Sequence, residues 1–315
     1  MASLLAGALI AVIVVIVTPI LGRSSDGSGP PRSGSGDEGR ITEVDLERRI
    51  ADFTTGKVVD ARYLPPDRAQ RDTLAEGVAL YVDGKHEEAE RRLAEVDFGV
   101  RILRDIEAPA DRPGRRYAEI ADRASENMRG WGRVYVALDD PVRFSVQVPH
   151  PVADAYSDRL GVGILRGAPG GVLVIAGTHR KAGEGRAADV AHRRDTVFHA
   201  VCAELVARRM PGIQVHGFAD SSVPEHDLVV STGAGEAARP QAVTLARALV
   251  DDGFRVCRAW SEKCPLAGRT NKQGVLAAEE DVPFLHIEAN RTVRTDPDRL
   301  RGAVDAMAAA VRDRR

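Results

Sequence analysis

From Trp131 to the C terminus, short β-branched runs alternate with amphipathic stretches of helical length, a pattern that few architectures can satisfy. Strands are predicted at Val134–Leu138, Val142–Val148, Val172–Ala176, Ile213–His216, Asp227–Ser231, Phe254–Arg258 and Phe284–Glu288. Helices are predicted near Val152–Leu165, Asp189–Arg209, Arg239–Asp252 and Asp298–Arg312. Strands joined through helices run parallel and need cover on both sides. The expected fold over 131–315 is therefore α/β, a mostly parallel, mixed sheet with helices on both faces. The preceding stretch, 40–130, reads as a small helical region. Leu46, Ile50, Leu74, Val78, Leu80 and Tyr81 fall at helical spacing, and Asp83-Gly84 turns a hairpin between Leu74 and Leu93.

The N terminus is of another kind. Leu4 to Leu21 carries no charge and is interrupted only by Gly7, Thr18 and Pro19, long enough as a helix for the roughly 30 Å of a bilayer core. A basic n-region and a small-residue cleavage site are not evident, so residues 1–22 read as an uncleaved transmembrane anchor ahead of a signal peptide. Residues 23–39, rich in Gly and Ser, read as a flexible linker. Orientation stays open. Arg23 and Arg32 would hold the domain in the cytoplasm, yet long domains translocate regardless of charge. A single-pass, membrane-anchored, extracytoplasmic domain is the working expectation.

With 44 basic and 46 acidic residues interspersed, the chain has a net charge of −2 and no basic stripe to serve nucleic acid. The pieces Gly167–Gly171 and Gly233–Gly235 do not form a strand-GxGxxG-helix unit, which argues against a nucleotide fold. Of the three cysteines, Cys257 and Cys264 are spaced to close a small disulfide in an exported domain, and Cys202 sits in a helical pattern. Three inert thiols in a cytoplasmic protein is the equal alternative. With no CxxC pair, a thiolate zinc site is not expected.

Three predicted strands end in groups able to bind a metal or move a proton. His150 follows the first, with Asp154 four residues on and on the same face of a starting helix; His216 closes the second. Imidazole, carboxylate and imidazole can share one zinc ion and leave a fourth position for water. In the third, Phe284 to Ala289, alternation puts His286 and Glu288 on one face, and two ionisable groups in an apolar strand are expensive to bury without a purpose. Glu288 is the candidate general base, the alternative being a salt bridge to Arg291 or Arg294.

These features, in this order, resemble the zinc carboxypeptidase and N-formylglutamate amidohydrolase superfamily. The resemblance spans roughly residues 142–294 and is carried by His150 with Asp154, the segment Asp189-Val190-Ala191-His192-Arg193, His216, and Phe284 to Arg291. It implies zinc held by His150, Asp154 and His216, Glu288 as base, and Arg193 as a contact for an anionic substrate group. The chain departs from the carboxypeptidase pattern in two places. His-x-x-x-Asp replaces His-x-x-Glu, which leaves Asp158 and His179 as alternative ligands, and His192 stands where those enzymes have Asn.

Around this core, Arg180 and His179 follow the Val172–Ala176 strand, and Asn271 lies in a polar turn able to orient substrate. His179, His192 and His286 are candidates to support the site. The function expected is zinc-dependent hydrolysis of a small amide or peptide, its substrate carrying an anionic group. Alternatives are a membrane-tethered, non-catalytic binding or scaffold protein of the same fold, and an ester or phosphate hydrolase.

Overall fold

The computed structural model describes residues 41–55, 63–107, 114–124 and 129–312. The expected anchor at 1–22 and linker at 23–39 lie outside the described residues. Among the described residues no helix is long and apolar enough to cross a membrane.

Among the described residues, ten strands, numbered in chain order, form one mixed sheet in the order β1-β2-β3-β4-β6-β5-β7-β10-β8-β9. Its centre is β6 (Gly171–Ile175), β5 (Phe144–Val148), β7 (Gly212–Phe218) and β10 (Phe284–Asn290), which run parallel to one another. On one side of this centre β4 (Arg133–Ala137) pairs antiparallel with β6; on the other, β8 (Leu228–Ser231) pairs antiparallel with β10 and parallel with β9 (Val256–Arg258).

The chain leaves β5 toward β6 and then returns to the opposite side of β5 as β7, so the order of connection reverses there. Such a switch point opens a crevice beyond the carboxyl ends of the strands. His150, two residues past β5, and His216, near the end of β7, stand at it.

The central strands are two-faced. Val146 and Val148, Ile213 and Val215, Leu285 and Ile287 belong to the core that α1 (Leu46–Thr54), α4 (Ser157–Gly167), α6 (Arg239–Asp251) and α9 (Pro297–Arg312) close. Their alternate neighbours Ser145 and Gln147, Gln214 and His216, His286 and Glu288 lie on the opposite face, and all are buried. Toward the β4 side this second face is apolar, packed by α2 (Arg68–Val82), α3 (His86–Ala94) and α5 (Val197–Ala207). Beneath the switch point it is polar.

Segment 40–130 is more than helical. The hairpin is present as α2 and α3, but β1 (Thr42–Val44), β2 (Phe98–Asp105) and β3 (Arg116–Asp122) come from the same stretch and extend the main sheet. What stabilises them is tertiary. Glu119 on β3 is fully buried and accepts from Arg49 Nε at 2.8 Å, Arg133 Nη1 at 3.1 Å, Arg101 Nη1 at 3.3 Å and the Tyr135 hydroxyl at 3.0 Å. Those partners come from α1, β2 and β4, so no local pattern announces them.

Two helix starts also differ from expectation. Instead of Val152, α4 begins at Ser157, after a turn in which Asp154 N–H donates to His150 O at 2.8 Å. Instead of Asp189, α5 begins at Val197, because the Thr196 hydroxyl caps it by accepting His199 N–H at 3.2 Å. His192 thus lies in the turn ahead of α5. Two short helices not expected from the sequence, α7 (Lys272–Glu279) and α8 (Arg291–Thr295), pack beside β10.

Cys257 on β9 and Cys264 in the following loop are joined by a disulfide, and Cys202 in α5 is free and buried. Replacing both bridged cysteines with serine should lower stability by about 2–3 kcal/mol through the freedom returned to the unfolded loop. Urea unfolding followed by circular dichroism measures it; an unchanged midpoint would show that the bridge does not restrain the unfolded chain.

Candidate metal centre

His150 and His216 approach from adjacent parallel strands, their rings edge to face with centroids 5.0 Å apart, and Asp154 reaches between them from the turn. Asp154 Oδ2 lies 3.1 Å from His216 Nδ1 and 3.6 Å from His150 Nδ1. Nitrogen and oxygen donors on one tetrahedral zinc ion stand about 3.3 Å apart, so one ion fits this trio. His150 Nδ1 is itself buried without a hydrogen-bond partner, an open donor position at the centre of the cluster.

The outer ring nitrogens are held. His150 Nε2 lies 2.9 Å from Asp189 Oδ1, and His216 Nε2 lies 3.0 Å from Gln214 Oε1, which also accepts from Asn271 Nδ2 at 2.7 Å. Both acceptors assign the proton to Nε2 and leave the Nδ1 lone pairs for a cation. Gln214 is fixed in turn, donating to Gln147 Oε1 and Gln273 Oε1, each at 3.2 Å. Buried amides thus clamp His216 from the sheet side.

Charge is distributed to suit a cation. Burial alone would raise the Asp154 carboxyl, but the His150 and His216 imidazoles beside it outweigh that and hold the group well below the usual carboxylate range. Asp189 is likewise held low, burial being outweighed by His150, His192 and Arg180. Burial keeps His216 and His286 below their usual imidazole values, so both favour the neutral, metal-binding form.

Glu288 is register-paired with His216 across β7 and β10 and therefore points to the same side of the sheet. It is 8 % exposed, and burial together with the nearby Asp154 charge raises its carboxyl well above the usual range. His286 Nε2 is 3.9 Å from Glu288 Oε1. Among the described residues neither Arg291 nor Arg294 forms an ion pair with Glu288. Arg291 stacks over Tyr156, while Arg294 donates to the carbonyls of Ala289, Asn290, Phe218 and Ala155. Gly217 makes room for this, since a Cβ there would lie 2.3 Å from Arg294 Cζ.

The remaining candidates separate by what they touch. Arg180 Nη2 donates to Asp189 Oδ2 at 3.0 Å, and its Nε is buried with no partner. Arg193 commits its guanidinium to Asp195 at 2.9 and 2.6 Å. Asn271 supports Gln214 and lies 3.2 Å from His216 Nε2, which makes it a positioning group rather than a free substrate contact. His179 Nδ1 accepts from Lys181 N–H at 3.1 Å, and Asp158 accepts from Thr54, so neither displaces Asp154 from the trio. His192 Nδ1 lies 3.1 Å from Asp189 Oδ1.

His150, Asp189 and His192 form a second convergent set. There, however, Asp189 Oδ2 is already taken by Arg180 and by Arg186 at 2.7 Å, and two guanidinium cations disfavour a metal. Asp189 is thus the orienting carboxylate of His150. Sequence reading placed it only within a segment, because a short turn between strand and helix has no periodicity to mark it. Gln214 was missed too, as a neutral amide carries no signature of its own. If the trio holds a metal, Asp189→Asn should weaken its binding by roughly 10–100-fold, read by competition with a chromophoric chelator. Unchanged affinity would remove Asp189 from this role.

Fold and site together define a mixed α/β protein with a buried His-Asp-His trio at the sheet's switch point. It is similar in structure to N-formylglutamate amidohydrolase from Ralstonia eutropha JMP134, at 13% identity and TM-score 0.40, over 57% of this chain and 96% of that one. A candidate carboxypeptidase A from Shewanella denitrificans OS-217 matches at 11% identity and TM-score 0.38, over 72% and 68%. The LapA aminopeptidase of Legionella pneumophila matches at 11% identity and TM-score 0.36, over 92% and 81%. No protein-family profile and no curated protein sequence matches the chain.

Proposed function

We propose that this chain is a zinc-dependent hydrolase of an amide or peptide bond. The observation that carries the reading is the convergence of ligand atoms from His150, Asp154 and His216 within 4.8 Å, with Glu288 on the same face of the neighbouring strand. The order of motifs, which resembles the carboxypeptidase and N-formylglutamate amidohydrolase superfamily, supports it.

His150, Asp154 and His216 would hold the ion. The chemistry it supplies when bound is Lewis-acid polarisation of a water molecule and of the scissile carbonyl. Glu288 takes the proton from water and returns it to the leaving nitrogen, a task suited to a carboxyl whose proton affinity burial has raised. Arg180, with its Nε uncommitted, holds a substrate carboxylate or the developing oxyanion. Asp189, Gln214 and Asn271 keep the two imidazoles in the required tautomer.

The experiment is hydrolysis of a panel of N-acyl amino acids and short peptides by the purified chain, before and after chelation. Activity should disappear with the metal and return with zinc. A chain that carries zinc but cleaves only esters or phosphates would overturn the amide assignment, and one that binds zinc with no turnover would favour a binding protein.

A further inference from the structure

A second group of metal-binding side chains lies apart from the proposed centre, around the disulfide. One ring nitrogen of His226, Cys257 Sγ and a carboxylate oxygen of Glu262 all lie within 4.8 Å of one another, and Cys264 Sγ is bonded to Cys257 Sγ. His226 Nδ1 is shielded from solvent and has no hydrogen-bond partner, an arrangement that costs stability unless something else occupies the position. Glu262 is anchored by accepting Arg258 N–H through Oε1 at 2.9 Å. The imidazole and the carboxylate are therefore already gathered beside the sulfurs, and both sulfur donors are locked in the disulfide.

We propose that reduction of this disulfide creates a zinc site formed by Cys257, Cys264, His226 and Glu262. Two thiolates, an imidazole and a carboxylate make up four donors, and the soft sulfurs select zinc over magnesium or calcium. The cysteine Cα atoms are 5.8 Å apart, so rotation about the side-chain bonds lets two separate thiolates flank one ion with little backbone movement. The six residues between the cysteines make the spacing wider than a CxxC knuckle, and His226 is supplied by the loop before β8.

The chemistry balances with a dithiol reductant. It delivers two electrons to the Cys257–Cys264 bond, becomes a disulfide itself and leaves two thiols on the chain. Zinc then displaces both thiol protons to solvent. The state of the site bears on the proposed catalytic centre, because the loop running on from Cys264 carries Gly268 and Asn271. A Cβ at Gly268 would lie 2.3 Å from His286 Cδ2, and Asn271 contacts His216.

The test uses the full chain, oxidised or reduced with a phosphine that is then removed without air, and titrated with Co²⁺ as the probe. The reduced chain should bind one more equivalent than the oxidised chain and show thiolate-to-cobalt charge transfer in the near ultraviolet. Paired Cys257→Ser and Cys264→Ser substitutions should abolish both signals. His226→Ala should weaken the extra site more than about tenfold, whereas His216→Ala should leave it in place. Cys202, buried in α5, stands outside the cluster. Equal stoichiometry in the two redox states would overturn the proposal, as would an unchanged affinity in His226→Ala or loss of the native circular-dichroism spectrum on reduction. Should the serine variants fail to fold, the comparison of oxidised and reduced native chain still decides.

Discussion

On the proposed zinc-hydrolase reading, Glu288→Gln is expected to retain metal and fold while losing roughly 10²–10⁴ in turnover, the usual contribution of a positioned general base. The amide matches the carboxylate in shape, so the packing of β10 against β7 is preserved, yet it cannot accept a proton at neutral pH. The buried carboxyl has no short ion pair to lose, its contact with His286 being 3.9 Å. A drop in stability is therefore not the main consequence. Measuring kcat and zinc content on the same preparation separates the outcomes. Retained turnover would make Glu288 structural, and loss of zinc with loss of turnover would make it a ligand.

Much of the centre could be read directly from alternation. Ser145-Val146-Gln147-Val148, Ile213-Gln214-Val215-His216 and Leu285-His286-Ile287-Glu288 each place apolar groups on one side and polar groups on the other. Three such strands side by side give an apolar face for helices and a polar one for chemistry, as the parallel registers of β5, β7 and β10 show. What resisted reading was non-local. Strands β2 and β3 carry Arg101, Arg104, Arg116 and Glu119, charges that look solvated until arginines from three different elements enclose Glu119. The amide clamp on His216 is equally invisible, because it joins residues 147, 214, 271 and 273 from separate segments. Asp154 survived a misplaced helix start because the turn at 151–156 preserves the four-residue return to His150 that a helix would have given.

On the same proposal, His216→Ala should reduce zinc affinity by more than the roughly 10–100-fold that an orienting partner is worth, since it would remove one of three donors outright. The void it leaves lies beside Gln214 and Asn271, whose amides still bond each other at 2.7 Å, so the sheet should remain folded. The ranking of two variants is the sharper result. If the ion sits among His150, Asp154 and His216, His216→Ala must cost more than Asp189→Asn, because Asp189 acts only through the far nitrogen of His150. The opposite order would move the ion to the His150, Asp189 and His192 side, where Arg180 and Arg186 would first have to release Asp189. Zinc competition titrations on both variants, alongside the native chain, decide between these positions, and equal affinity in His216→Ala and the native chain would exclude His216 from either.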